Sequence, residues 1–144
     1  MKKILLIAFI GTMLLSVASC STTDEKTSTP VTTASKTDLL TAKKWRVTAL
    51  TYNGTDAYAT MDACDKDDLH IFKVGGVYNA DNGPTKCTPT DDQIFTISTW
   101  AFSENDTKLT FDNDTFTVVE LTATTMKLSI VDNSGSGTIT FVGQ

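Results

Sequence analysis

The sequence predicts an all-β domain over residues 38–144, an eight-stranded antiparallel up-and-down barrel preceded by a short helical turn. From Lys44 onward, apolar and polar residues alternate in short segments, which is the pattern of strands with one buried face. Clusters of Gly, Asn, Asp and Ser separate these segments, so short turns set sequential strands side by side. Sequential neighbours of this kind avoid exposed edges by closing into a barrel.

The elements follow in order along the chain. The helical turn is predicted at "TDLLTAK", residues 37–43, where Thr37 or Asp38 is suited to cap the N-terminus. Each later segment combines β-branched and aromatic residues and ends at turn residues. The predicted strands are residues 45–53, 68–74, 77–81, 94–103, 108–112, 115–121, 125–131 and 138–142.

The first residues form a predicted targeting segment. Lys2 and Lys3 precede the apolar run "ILLIAFIGTMLL", and the small residues "SVAS" follow, as in a secretory signal peptide. The run is shorter than the roughly 20 apolar residues that cross a bilayer. We therefore predict that residues 1–19 are a signal peptide that is removed.

Residues 17–20, "VASC", resemble the lipobox of bacterial lipoproteins. The resemblance implies that Cys20 is acylated and anchors the mature protein to a membrane, where several acyl chains hold firmly. An ordinary cleaved signal with a chance cysteine is the alternative. Residues 20–37 are rich in Ser and Thr and contain no aromatic residue, so they predict a flexible tether between anchor and barrel.

The other two cysteines are predicted to form a disulfide bond. If the glycines at 75–76 are the centre of a two-residue turn, Phe72 lies opposite Asn79 in the hairpin. The same pairing, extended outward, sets Cys64 opposite Cys87 on one face. An exported chain meets oxidising conditions, which favour the bond over the alternative of two free buried thiols.

Composition and the single histidine argue against several functions. The net charge is −5, Arg46 is the only arginine and no basic cluster offers a phosphate footprint, so we expect no nucleic-acid partner. His70 is the only histidine, and we predict it to be an ordinary strand residue rather than a catalytic one. With Cys20 acylated and the other cysteines paired, no thiol nucleophile remains. We therefore predict no enzyme activity and no cofactor.

An acidic cluster is the one candidate for a metal site. Asp62, Asp65, Asp67 and Asp68 lie close together in sequence and offer oxygen ligands of the kind that calcium prefers. They lack the central glycine and closing glutamate of an EF-hand loop. We therefore predict solvated carboxylates at a barrel rim and no metal.

Five short segments of the domain carry a family resemblance: "KKW" at 43–45, "CDKDDLHIFKVGGVYN" at 64–79, "STWAF" at 98–102, "KLTF" at 108–111 and "TVVELTATTMKLSI" at 117–130. Together they resemble the lipocalin-like domain of Bacteroidota lipoproteins. The resemblance implies an eight-stranded barrel with Trp45 near its closed end. In this sequence no arginine follows Arg46 to cover that tryptophan from the last strand.

Alternation sets a group of bulky side chains on one face of the strands. A barrel of eight strands is wide enough only to be filled by side chains or to hold one small ligand. The size of these residues favours a filled core, and a remaining pocket would be apolar and lie at the mouth away from Trp45. The candidates for ligand or core lining are Trp45, Phe72, Trp100, Phe102, Phe111 and Phe116, together with Phe141, Met126, Leu128 and Ile139.

The sequence as a whole predicts an outer-membrane lipoprotein, on the periplasmic or the surface face, attached to the membrane through its acyl chains. By resemblance, its barrel is a non-enzymatic module that binds a small apolar or amphipathic ligand. The alternative is a protein-interaction, inhibitor or structural module of the cell envelope with a filled core and an envelope protein as partner.

Overall fold

The computed structural model describes residues 33–144; the predicted signal peptide, Cys20 and the first part of the tether lie outside the described residues. Within the described part of the chain, no helix is long and apolar enough to cross a membrane. The helices are α1 (Lys36–Thr41), a 3₁₀ turn (Tyr58–Thr60) and α2 (Ala63–Lys66). The strands are β1 (Lys44–Tyr52), β2 (Thr55–Asp56), β3 (Leu69–Lys73), β4 (Val77–Asp81), β5 (Ile94–Ser103), β6 (Lys108–Phe111), β7 (Asp114–Leu121), β8 (Thr125–Asp132) and β9 (Gly135–Gly143).

The strands form one closed antiparallel barrel. From β3 to β9 each strand pairs with the next in sequence, β1 pairs with β3, and β1 also pairs with β9, which closes the sheet. Strand β2 has only two residues and pairs antiparallel with the last two residues of β1. The predicted eight-stranded up-and-down barrel is therefore confirmed, with β2 as a short addition.

Three single-residue bulges interrupt the ladders. The extra residues are Thr48 in β1, Ile97 in β5 and Val119 in β7. Bulges bend a strand and increase its twist, which helps a sheet of this size to close. They also shift the alternation of the strand, and two of the extra residues, Ile97 and Val119, are exposed apolar side chains.

Helix α1 begins earlier than the sequence predicts. Ser35, rather than Thr37 or Asp38, is the N-cap, and its hydroxyl accepts a hydrogen bond from the Asp38 backbone N–H at 3.1 Å. The Asp38 carboxylate accepts in return from the Ser35 N–H, which completes a capping box. The hydrogen bond from the Ser35 hydroxyl, 2.7 Å away, and then the bond from the Ser35 N–H lower the pKa of Asp38. The last residues assigned to the tether therefore form the cap and first turn of the helix.

Helix α1 covers one end of the barrel. Leu40 is fully buried, and its carbonyl accepts a hydrogen bond of 2.8 Å from Nε1 of the fully buried Trp45. Lys36 Nζ donates to the Asp106 carbonyl, 2.8 Å away, in the turn between β5 and β6. Helix α1 therefore covers Trp45. An arginine of the last strand cannot do so, because no arginine follows Arg46 in the sequence.

The core consists of inward-facing side chains from all the principal strands and from α1. Aromatic residues dominate it, and neighbouring rings meet mostly edge to face, the arrangement that aromatic pairs prefer. Its buried members are Leu40, Trp45, Val47, Phe72, Tyr78, Trp100, Leu109, Phe111, Phe116, Met126, Leu128 and Phe141.

The predicted register of the β3–β4 hairpin is wrong by one residue. Three residues, 74–76, connect the strands instead of two, and both glycines have positive φ, 93° and 86°. Phe72 consequently lies opposite Tyr78 rather than Asn79. Because side chains alternate with a period of two, this change moves Tyr78 onto the inner face with Phe72.

The predicted disulfide bond is confirmed, although the hairpin register used to predict it is wrong. Cys64 and Cys87 are bonded, with their Cα atoms 5.2 Å apart. The β3–β4 ladder ends at the pair Leu69–Asp81, so the cysteines do not face each other across it. Cys64 lies in the short helix α2 and Cys87 in the connection between β4 and β5. The bond joins this helix to that connection.

A buried carboxylate fixes the start of the same connection. Asp81 accepts hydrogen bonds from Lys44 Nζ at 2.8 Å, from Gln93 Nε2 at 2.7 Å and from the Gly83 N–H at 3.2 Å. The Lys44 bond and then the Gln93 bond are the main reasons why the pKa of Asp81 lies below its usual value. The long connection is therefore held at both ends by polar contacts as well as by the disulfide.

Candidate functional site

The barrel contains a cavity of about 250 Å³. Most of its wall is apolar, and its polar members are one histidine, one tyrosine and two aspartates. The lining residues are Val47, Leu50, Met61, His70, Tyr78, Phe111, Asp112, Asp114, Phe116, Ile139 and Phe141.

The cavity lies at the end of the barrel away from α1. The β5–β6 turn lies beside α1, because Asp106 in that turn contacts Lys36. Successive turns of an up-and-down barrel lie at opposite ends. The β6–β7 turn, whose Asp112 lines the cavity, is therefore at the far end, and Trp45 does not belong to the lining.

A hydrogen-bonded pair of side chains forms the polar part of the wall. His70 Nδ1 and the Tyr78 hydroxyl lie 2.5 Å apart, and their rings are nearly parallel. Burial lowers the pKa of His70 to about 4, so the imidazole is neutral at pH 7. Burial, and then the Asp112 and Asp68 carboxylates, raise the pKa of Tyr78, so the phenol is neutral as well.

Aromatic rings form the adjoining wall. Phe111 and Phe116 stack with ring centroids 4.8 Å apart, and Tyr78 meets Phe111 edge to face at 5.1 Å. Phe141 meets His70 edge to face at 5.1 Å. Packing on several sides holds these rings in place, which gives the cavity a preformed apolar surface.

Two carboxylates lie at the rim, on either side of Asn113. Asp112 and Asp114 are exposed residues, and the backbone N–H of Asp112 donates to the Ser98 hydroxyl at 3.1 Å. Asp112 and Asn113 have positive φ, 51° and 68°, the conformation that a tight turn of this kind requires. Among the described residues that line the cavity there is no lysine or arginine.

The six aromatic candidates from the sequence occupy two kinds of position. Phe111 and Phe116 line the cavity. The other four lie outside its lining: three are buried in the core, and Phe102 is half-buried against Trp100, with ring centroids 5.7 Å apart. The three core residues are Trp45, Phe72 and Trp100.

The polar residues of the cavity lining are not among the lining residues that the sequence predicts. The one-residue register error sets Tyr78 on the outer face, whereas the observed register puts it beside Phe72 on the inner face. His70 lies two residues before Phe72 in the same strand, so alternation alone would have indicated the same inner face. Asp112 ends a predicted strand and Asp114 lies in the predicted connection that follows it, and only the closed barrel brings this turn to the cavity.

The acidic cluster does not converge on one point. Within residues 33–144, the one group with three potential metal ligands close together is Cys64, Asp65 and Cys87, and its two sulfur atoms are bonded to each other. Asp67 accepts a hydrogen bond from the Thr85 N–H at 3.1 Å and so holds the disulfide-linked connection.

Asp68, another member of that cluster, has a raised pKa. Partial burial raises its pKa to about 6, and repulsion from Asp65, Asp67 and Asp81 adds to the effect. It precedes β3, close enough to the cavity for its charge to act on Tyr78.

A group of exposed apolar side chains lies on the first half of β5. Ile94, Phe95 and Ile97 are exposed apolar side chains, 48%, 40% and 38% exposed. Phe95 lines a shallow depression of about 360 Å³ together with Asp91 and Asp92. Strand β6 pairs only with the second half of β5, from Trp100 onward, so β4 is the partner of this segment.

A comparison with known protein families agrees with the barrel architecture. The family described as "Lipocalin-like domain" matches residues 41–128, which is more than half of the chain. The protein therefore belongs to the lipocalin-like domain family. No curated protein matches the chain. A lipocalin-like barrel suggests a binding module, because eight strands enclose room for one small ligand.

Proposed function

We propose that this protein binds one small apolar or amphipathic molecule in the cavity at the mouth of its barrel and does not transform it chemically. The observation that carries the proposal is the cavity itself, which has an apolar wall, a few polar groups and rings held by packing. A mainly apolar pocket with a few convergent polar groups is the usual form of a small-molecule site.

The cavity size limits the ligand. A cavity of about 150 Å³ holds one benzene molecule, and pockets for drug-sized ligands begin at about 300 Å³. At about 250 Å³, the cavity suits a single ring with a short chain rather than a long-chain lipid.

The absence of catalysis is part of the proposal. His70, the only histidine of the chain, shares a hydrogen bond with Tyr78, and both groups are neutral at pH 7. Neither group has an aliphatic hydroxyl or a thiol to activate among the residues that line the cavity, because no serine, threonine or cysteine belongs to that lining.

We further propose that the barrel belongs to an outer-membrane lipoprotein of a Bacteroidota species. The support is in the sequence: the apolar run, the residues "VASC" before the Ser- and Thr-rich segment, and the resemblance of the barrel. Labelled fatty acid should enter the wild-type protein and not a Cys20→Ala variant, which should also leave the membrane fraction or keep its leader. Equal labelling of both proteins would contradict the anchor.

Binding in the cavity is tested by filling it. Leu50 lines the cavity, so Leu50→Trp should occupy its volume, whereas Val131 is 81% exposed and Val131→Trp should leave it open. An uncharged apolar fluorescent probe should bind wild type and Val131→Trp alike and bind Leu50→Trp at least about tenfold more weakly. Thermal unfolding of each variant verifies that it is folded. Equal probe binding by a folded Leu50→Trp would overturn the proposal.

One observation favours the alternative, a protein-interaction module. Ile94, Phe95 and Ile97 are exposed apolar side chains of the same half of β5, and exposed apolar surface is a feature of interaction sites. A partner protein would be lost from an Ile94→Ser/Ile97→Ser variant and retained by Leu50→Trp. Binding of the fluorescent probe would show the opposite pattern, so the two functions separate.

A further inference from the structure

We propose that the cavity selects an amphipathic molecule that carries a protonated amine, with the apolar part among the aromatic rings and the ammonium group at Asp112 and Asp114. This inference deepens the proposed function and rests on it. It assigns to the site a charge preference that excludes small carboxylic acids as ligands.

The first support is the charge at the rim. Asp112 and Asp114 are the acidic side chains of the lining, and among the described residues no lysine or arginine lines the cavity with them. Two lysines outside the lining have other contacts: Lys44 pairs with Asp81, and Lys66 Nζ lies over the Tyr58 ring, 5.3 Å from its centroid. A cation entering the mouth therefore meets an uncompensated negative potential, and an anion is repelled.

The second support is the aromatic wall directly below that rim. Tyr78, Phe111 and Phe116 line the cavity, and aromatic faces attract an ammonium group through their quadrupoles. Phe111 directly precedes Asp112 and pairs with Asp114 across the β6–β7 hairpin, and Phe116 lies two residues after Asp114, so the rings and the carboxylates belong to the same end of this hairpin. An anionic head group would lose its hydration there without a compensating partner.

The third support is the neutrality of the polar wall. His70 and Tyr78 already bond each other, and burial keeps the imidazole uncharged at pH 7. The described lining therefore lacks a cationic group, which forms the strongest hydrogen bonds to a carboxylate or a phosphate. Asp68, whose charge acts on Tyr78, adds to the negative potential around this wall.

Three probes of the same shape test the preference: phenylpropylamine, phenylpropanol and phenylpropionate, which are cationic, neutral and anionic at pH 7. Their affinities are measured at low ionic strength by displacement of the uncharged fluorescent probe. We expect the amine to bind about fivefold more tightly than the alcohol and the carboxylate to bind most weakly. Salt should reduce the advantage of the amine, because partly exposed charges are screened.

Variants that remove the rim carboxylates test whether Asp112 and Asp114 cause the preference for the amine. Asp112→Asn/Asp114→Asn should bring the ratio of amine to alcohol affinity close to one; asparagine tolerates the positive φ of position 112 at least as well as aspartate. The matched control, Glu104→Gln/Glu120→Gln, removes the same charge from exposed residues outside the lining and should keep the wild-type ratio.

The outcomes separate this inference from the proposed function. An alcohol that binds as tightly as the amine, a carboxylate that binds best, or a ratio that survives Asp112→Asn/Asp114→Asn would overturn the amine preference and leave the binding cavity standing. Failure of all three probes to displace a bound fluorescent probe would overturn the amine preference alone, whereas a fluorescent probe that does not bind the folded wild-type protein would overturn both.

Discussion

Acid should destabilise this barrel through its only histidine. His70 is enclosed in the cavity wall between Tyr78 and Phe141, and burial lowers its pKa from the ordinary 6.5 to about 4. In the unfolded chain the ring takes up a proton near its ordinary pKa. Between pH 6.5 and 4 the unfolded state therefore binds more protons than the folded state, and the free energy of unfolding falls as pH falls.

The size of the effect follows from the same pKa difference. At about 1.4 kcal/mol for each pKa unit, lowering the pKa from 6.5 to about 4 corresponds to about 3 kcal/mol, lost progressively as pH falls through this interval. Above pH 6.5 the contribution is constant. A loss of this size is a large part of the stability of a small domain.

Protonation of Asp68 opposes the loss of stability that His70 causes on acidification. The contributions of both groups to the free energy of unfolding must therefore be measured together. Its pKa is raised from 3.8 to about 6, so the folded state binds more protons between these values and this group favours folding increasingly as pH falls. That contribution is lost as pH rises through about 6. The wild-type profile is therefore the difference of two opposing effects.

Urea unfolding from pH 7 to pH 4 distinguishes the two groups. His70→Gln should lose less stability on acidification than wild type, because glutamine does not titrate. Asp68→Asn should lose more, because the opposing carboxyl group is gone. Parallel profiles for wild type and His70→Gln would show that the imidazole does not titrate as its burial requires, and the reasoning would fail.

Three further predictions concern stability. Cys64→Ser/Cys87→Ser should lower the free energy of unfolding by about 3 kcal/mol through the loop that the bond closes, and equal urea midpoints would contradict a stabilising role. Phe72→Ala should cost about 3 to 5 kcal/mol because the ring is 1% exposed, whereas Phe102→Ala should cost clearly less because it is half-buried; similar losses in urea unfolding would refute this order. Gly83→Ala should cost about 1 to 3 kcal/mol, since φ is 58° and a carbonyl oxygen lies 2.5 Å from the added Cβ; an unchanged melting temperature would oppose it.

Much of the fold could be predicted because strand patterns are local. Alternation identified each principal strand, and turn residues marked the boundaries between them. The two-residue strand β2 and the short helix α2 carry too few residues to show a periodicity. The disulfide was predicted correctly from an incorrect hairpin register, because export and a spare pair of cysteines favour it independently of the ladder.

The site was only partly predictable, and one turn explains much of the difference. Counting two residues rather than three between β3 and β4 set Tyr78 outside the barrel and concealed its pairing with His70. The aromatic candidates were chosen by size and alternation, which identify the inner face but not depth. Of the six, only Phe111 and Phe116 reach the cavity.

The sequence by itself determined that this chain forms strands, which side chains are apolar enough to be buried, and that the two later cysteines could pair. These properties depend on residue type and on spacing over a few positions. The tertiary structure alone decided that the barrel keeps a cavity, that His70 meets Tyr78, and that Asp112 lines this cavity with the aromatic rings, without a lysine or arginine in the described lining. Those relations depend on turn geometry, bulges and closure of the sheet, which bring together groups that no local pattern connects.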